Sequence, residues 1–117
     1  MNRWALLEHK IDNLNQDEIH YDFLVENGKD CLTWKMFHLP KKNGSAVEIS
    51  QQSNHRLIWL FHVEKELSRN RGFVKRIDYG VYINSGINLN NDQFSLLLDG
   101  KLLMGLFIKT GNSCKLT

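Results

Sequence analysis

One proline, two cysteines and no long apolar run are the first facts of this 117-residue sequence, and each excludes something. With a single proline, Pro40, the turns must be marked by Gly, Asn and Asp, and a proline-rich linker or recognition segment is ruled out. Cys31 and Cys114 fit no metal or redox spacing, so they read as free thiols of a reducing cytosol, with a Cys31–Cys114 disulfide the less favoured alternative. No apolar stretch reaches the length of a membrane span, and Glu8 and His9 interrupt any signal-peptide core in "MNRWALLEHK", so the expectation is a cytoplasmic protein. H-E-x-x-H, Walker, C-x-x-C and G-x-S-x-G patterns are all missing, which removes the commonest zinc-protease, nucleotide-binding, redox and serine-hydrolase signatures.

What is present is ordinary for one globular domain: 42% hydrophobic residues, 24% charged residues and a formal charge of +2. That charge permits a polyanionic partner without demanding one. Locally, "SRNRGFVKR" (68–76) gathers Arg69, Arg71, Lys75 and Arg76, which also suits a solvated hairpin tip.

The apolar runs are short and rich in aromatic and β-branched residues, which predicts strands over 3–9, 19–26 and 31–37, with a hairpin turn at "ENGKD". Residues 40–54 read as a polar connection, and 55–64 as a strand or a helical turn followed by a strand. Residues 72–84 suit a strand pair or one long bent strand with a bulge at Gly80. After an 85–92 loop, 93–110 is the clearest hairpin, with Asp99-Gly100 as a tight two-residue turn. Only 11–19 hints at helical spacing. The expectation is an all-β fold, a small single-domain β-barrel over 1–110 with few helical turns, followed by a flexible tail over 111–117.

"EIHYDFLVENG" (18–28) holds the chemistry. His20 and Asp22 alternate with Tyr21 and Phe23, so on a strand the imidazole and carboxylate share one face and the rings the other. A histidine beside a carboxylate is either half of a metal-ligand set or a positioned general acid or base; a surface hydrogen bond is the plainer alternative. His9 ends the first strand and His55 opens a later segment. His38 and His62 read as structural, and Trp4 and Trp34 as packing residues.

"LLEHK" (6–10), "HYDFLVENGKDCLTWKMFHLP" (20–40), "NHRLIWLFHVEKELSRNRGFVKRIDYGVY" (54–82) and "FSLLLDGKLLMGLFIKT" (94–110) lie in the order expected for a known family. Together they resemble the 3′-phosphoesterase domain associated with bacterial DNA ligase D, in its compact stand-alone form. The resemblance implies a β-barrel that trims DNA 3′ ends in repair, removing a 3′-ribonucleoside and a 3′-phosphate. It implies His9, His20 and Asp22 as ligands of Mn²⁺, with Zn²⁺ the alternative, and His55 as a catalytic residue across the site. Trp59 falls where the family has an aromatic residue near the phosphate. The family's arginine two residues after the Asp is replaced by Leu24, and 45–54 holds no basic residue, so Arg56, Arg71, Lys75 and Arg76 are the candidates for substrate binding. The implied partners are nucleic acid 3′ ends and a DNA ligase or end-joining protein, with a monomer and no membrane. The alternative is a catalytically inactive barrel that binds nucleic acid or a repair protein.

Overall fold

The computed structural model describes residues 2–11, 18–67, 71–84, 89 and 92–117. Strands dominate, as the short alternating runs predict: β1 (Arg3–Ile11), β2 (Glu18–Asn27), β3 (Asp30–Met36), β4 (Val47–Glu48), β5 (Ser50–Arg56), β6 (Glu64–Glu66), β7 (Phe73–Asn84), β8 (Gln93–Asp99), β9 (Met104–Thr110) and β10 (Ser113–Leu116). Among the described residues one 3-10 turn, Leu57–Leu60, interrupts them, between β5 and β6. No helix among the described residues is long and apolar enough to cross a membrane.

All ten strands join one antiparallel sheet in the order β4-β10-β9-β8-β7-β1-β2-β3-β5, with β6 branching from β7. The two ends of that path, β4 and β5, are consecutive in the chain and separated only by buried Ile49. No hydrogen-bonded ladder among the described residues closes the sheet, so "barrel" describes its curl and not a closed cylinder; the all-β expectation holds.

β7 is the hinge of this curl. Its first part pairs with β1, and its end, Tyr82–Asn84, pairs with β8. It is one long strand, and its irregularity falls between Arg76 and Asp78, opposite the Leu6–Leu7 step, where Ile77 is the extra residue. The bulge expected at Gly80 therefore lies elsewhere. Gly80 instead permits a close approach, since a Cβ there would collide with the Asp99 carboxylate and the Trp4 indole.

Alternation builds two cores on the two faces of β1–β3. Trp4, Leu6, Phe23, Val25, Leu32, Trp34 and Met36 point inward and meet Phe94, Leu96, Phe107 and Leu116 from the other half of the sheet. Burying an aromatic side chain of this kind contributes about 2–3 kcal/mol. The opposite face carries a smaller core of Ala5, Leu7, Leu24, Cys31 and Val74, roofed by Leu60 of the 3-10 turn.

Three local expectations change. Residues 111–117 are not a flexible tail: β10 pairs with β9 and β4, Cys114 and Leu116 are buried, and the Cys114 thiol contacts Met36 Sδ at 3.8 Å. The alternating apolar pair in "SCKL" is what recruits this segment to the core. The polar connection 40–54 contributes β4 and most of β5, whose register on β3 needs no apolar face because the strand is largely exposed. The β8–β9 turn is not a two-residue turn at Asp99-Gly100, because Asp99 pairs with Met104 across a four-residue loop, 100–103. The buried Asp78 carboxylate holds that loop by accepting the N–H groups of Lys101, Leu102 and Leu103 at 2.9, 2.8 and 2.8 Å. The helical hint at 11–19 lies mostly outside the described residues; its ends, Ile11 and Glu18–Ile19, are strand. Both cysteines are free and buried.

Candidate metal centre

The site grows out of strand register. β1 and β2 are antiparallel, and His9 lies directly opposite His20 while Leu7 lies opposite Asp22. Opposed side chains share a face, and a diagonal neighbour stays within reach of long side chains. His9, His20 and Asp22 therefore converge at the polar end of the smaller core, while Tyr21 and Phe23 turn to the larger one.

One ligand atom from each of the three lies within 4.8 Å of the other two. His20 Nε2 is 3.4 Å from Asp22 Oδ1, and His9 Nδ1 is 3.8 Å from Asp22 Oδ2. Both exceed the roughly 2.7–2.9 Å of a charge-assisted hydrogen bond. Metal–ligand bonds of about 2.1 Å place neighbouring donors of one ion about 3.0–3.4 Å apart, so the spacing is slightly wider than a loaded site.

The outer contacts fix which nitrogens face inward. His9 Nε2 donates to the Arg71 carbonyl at 2.7 Å. A carbonyl can only accept, so Nε2 carries a proton, and Nδ1 is the nitrogen that faces the Asp22 carboxylate, where a cation or a proton between them would satisfy both. His20 turns its other nitrogen, Nδ1, toward Glu18 Oε2 at 3.7 Å, and that nitrogen is buried without a hydrogen-bond partner. His9 thus has an outer hydrogen-bond acceptor, the arrangement that orients histidine ligands around a metal, while His20 has only the Glu18 carboxylate nearby, beyond hydrogen-bond distance. The donor set, two imidazoles and one carboxylate, fits Mn²⁺, Fe²⁺ or Zn²⁺.

His9 and Asp22 open onto a cleft of about 260 Å³, also lined by His55, Trp59 and Arg71. His55 Nδ1 lies 3.0 Å from Thr33 Oγ1 and 3.3 Å from the Ser53 carbonyl, and Thr33 Oγ1 donates to the Cys31 carbonyl. The hydroxyl's proton is thereby committed, so His55 Nδ1 is the donor in its contact with Thr33. Trp59 stands edge-on to His55, with ring centres 6.0 Å apart, and Lys65 lies over its indole at 5.5 Å.

The other basic candidates sit apart from this cleft. Arg56 is exposed at the end of β5, paired with Asp30. Lys75 is exposed between Glu8 and Glu64 on neighbouring strands. Arg76 donates to the Leu60 carbonyl at 2.8 Å and stacks 3.9 Å over Tyr79, so its guanidinium fastens the 3-10 turn to β7. Arg69 lies outside the described residues. Leu24 is fully buried in the smaller core. Arg71 is the one arginine or lysine among the described residues that line the cleft.

Two contributors escape sequence reading. Glu18 continues the His20–Asp22 alternation by two residues, so the period-two pattern already contained it. Thr33 carries no local signal, because its tie to His55 depends on the irregular β3–β5 register. Comparison with known protein families finds none that matches the chain, and comparison with curated proteins finds no match either.

Proposed function

We propose that this protein is a metal-dependent, phosphoesterase-like domain that processes the 3′ ends of nucleic acids by removing a 3′-phosphate or a 3′-ribonucleoside. The observation that carries the reading is the convergence of His9, His20 and Asp22, both imidazoles turned to one carboxylate and His9 held from behind by the Arg71 carbonyl. The ordered resemblance to the ligase D-associated 3′-phosphoesterases supports the choice of substrate, and a role beside a DNA ligase follows from it.

His9, His20 and Asp22 would hold the ion, with Mn²⁺ favoured over Zn²⁺. A divalent ion in such a site supplies Lewis-acid polarisation of a phosphoryl oxygen and offsets developing negative charge. His55, held through Nδ1, offers Nε2 to accept or return a proton. Arg71 brings positive charge to the cleft rim, and Trp59 walls it. Leu24 gives no cation where the resembling enzymes have one, so Arg71 carries more of the phosphate binding. A single preorganised donor of this kind is worth about 3 kcal/mol in a transition state.

The test is a Mn²⁺ or Zn²⁺ titration of metal-free protein, followed by NMR on the five histidine ring signals, with His20→Ala as control. Selective perturbation of His9 and His20 at micromolar metal, lost in the variant, is the expected result. Hydrolysis of 3′-phosphate and 3′-ribonucleotide ends should follow the same metal dependence. No selective response up to millimolar metal would sink the enzyme reading. Metal binding without turnover would leave a domain that binds ends and does not cut them.

A further inference from the structure

A second concavity opens where β3 ends. It has a volume of about 530 Å³ and is lined by Tyr21, Phe37, His38, Lys41, Lys42 and Lys101 together with Leu39, Pro40 and Leu102. Three lysines line it and no carboxylate among the described residues does. On a chain whose formal charge is only +2, that is a local concentration of positive charge. Lys42 Nζ donates to the Met104 carbonyl at 3.3 Å, a contact that occupies one of its three donors.

The groove also presents an exposed aromatic face. Half of the Phe37 surface is open to solvent (51%), and Lys35 Nζ lies 4.8 Å over its ring. An aromatic left half open beside lysines is the combination that stacks unpaired bases while neighbouring ammonium groups meet phosphates. Duplex bases have no free face for such stacking. Phe37 also neighbours the metal triad: its ring is edge-on to His20 at a centroid distance of 6.3 Å.

We propose that this groove binds the backbone of an unpaired nucleic-acid strand, with Lys41, Lys42 and Lys101 on the phosphates and a base on Phe37. Placing the strand's 3′ end at His9, His20 and Asp22 rests on the functional reading above. The groove itself rests only on its own charge and shape.

The experiment is fluorescence anisotropy of 5′-labelled oligonucleotides of about 12 residues, all-thymidine DNA and all-uridine RNA, with a chelator present so that no metal contributes. Three phosphate contacts on a single strand predict a salt slope of about −2, an affinity loss of about 18-fold between 50 and 200 mM salt. The combined K41Q, K42Q and K101Q variant should bind at least tenfold more weakly, with the salt slope collapsing toward zero. Phe37→Ala should weaken binding severalfold and leave the slope unchanged. The exposed Lys115→Gln should match wild type. These lysines and Phe37 are surface residues, so a thermal melt should show the variants folded.

The DNA and RNA arms read which sugar the groove prefers. No anisotropy change up to about 100 µM protein overturns the proposal. So does unchanged binding by the triple-lysine variant. Binding to phosphatidylserine vesicles in place of oligonucleotide, lost in the same variant, would also overturn it by making the groove a membrane contact. The chelator separates the two readings: strand affinity measured without metal tests the groove, and the histidine ring signals under metal titration test the triad.

Discussion

Asp22 and Asp78 lie at nearly the same depth, 8% and 5% exposed, in opposite surroundings. Asp78 accepts four backbone N–H groups: those of Tyr79 and Lys101 on Oδ1, at 3.0 and 2.9 Å, and those of Leu102 and Leu103 on Oδ2, both at 2.8 Å. Asp22 faces two imidazoles at 3.4 and 3.8 Å, one of them belonging to a histidine whose other nitrogen is an orphan. A buried carboxylate must be compensated. Backbone donors compensate Asp78 completely, so it holds a loop and has no capacity for a ligand. Asp22 is compensated by groups that themselves want a cation. The completeness of the hydrogen-bond shell, and not burial, separates a structural carboxylate from a candidate ligand.

Breaking the satisfied partner should cost the fold most. Asp78→Ala strips the acceptors from four N–H groups packed around Trp4 and Leu103, and urea unfolding should show a loss of about 3 kcal/mol or more. Its metal response should persist. Asp22→Asn should do the reverse: little change in metal-free stability, and loss of metal-induced stabilisation. Wild type should gain about 2.7 kcal/mol at a metal concentration about 100 times the dissociation constant, read as a thermal-melt shift, and D22N should gain none. Equal metal shifts in the two proteins would erase the contrast between the two carboxylates.

A third carboxylate sharpens the contrast through pH. Arg3 donates to both Glu26 oxygens at 2.8 Å, and this bond holds the Glu26 carboxyl below its ordinary value of 4.5. A carboxylate depressed in the folded state stabilises it above the unfolded value, and that stabilisation is lost as pH falls through the folded value. The stability gap between wild type and Arg3→Met should therefore be full well above the ordinary value of 4.5 and close as pH falls below it. A gap constant with pH would show that Arg3 acts by packing alone, through its stacking over Phe61 at 4.9 Å.

The smallest effect concerns a rival ligand type on the site's own face. Cys31 lies in the smaller core opposite Glu26, and burial pushes its thiol up to about 12, as it does that of Cys114. Neither should react with a thiol reagent near about pH 8 until the protein unfolds. Rapid reaction of the native protein would show that the smaller core opens.

Much of the fold was legible because alternation is a local property. β1, β2, β3, β8 and β9 sit where the apolar runs place them, and His20 and Asp22 share a face because two residues along a strand return to one side. The polar strand β5 was not legible, because it is held by register to β3 and not by apolar residues of its own. The 100–103 loop was misjudged because Asp-Gly signals a tight turn locally, while the donors of this loop are taken by Asp78, more than twenty residues earlier. The C-terminal strand was missed because four residues are too few for a periodic signal. In the site, Glu18 was readable from period two, and Thr33 was not.

By itself, then, the sequence determined the all-β class, the paired faces of β2 and the chemical types available for a site. Spacing and side-chain chemistry are written along the chain, so these needed no partner strand. Tertiary structure decided the rest: which histidine stands opposite His20, which nitrogen each imidazole turns inward, and which of two buried aspartates is satisfied by backbone donors while the other faces imidazoles. Those depend on register and on backbone donors brought from distant strands, and no local stretch encodes which carbonyl or N–H will arrive.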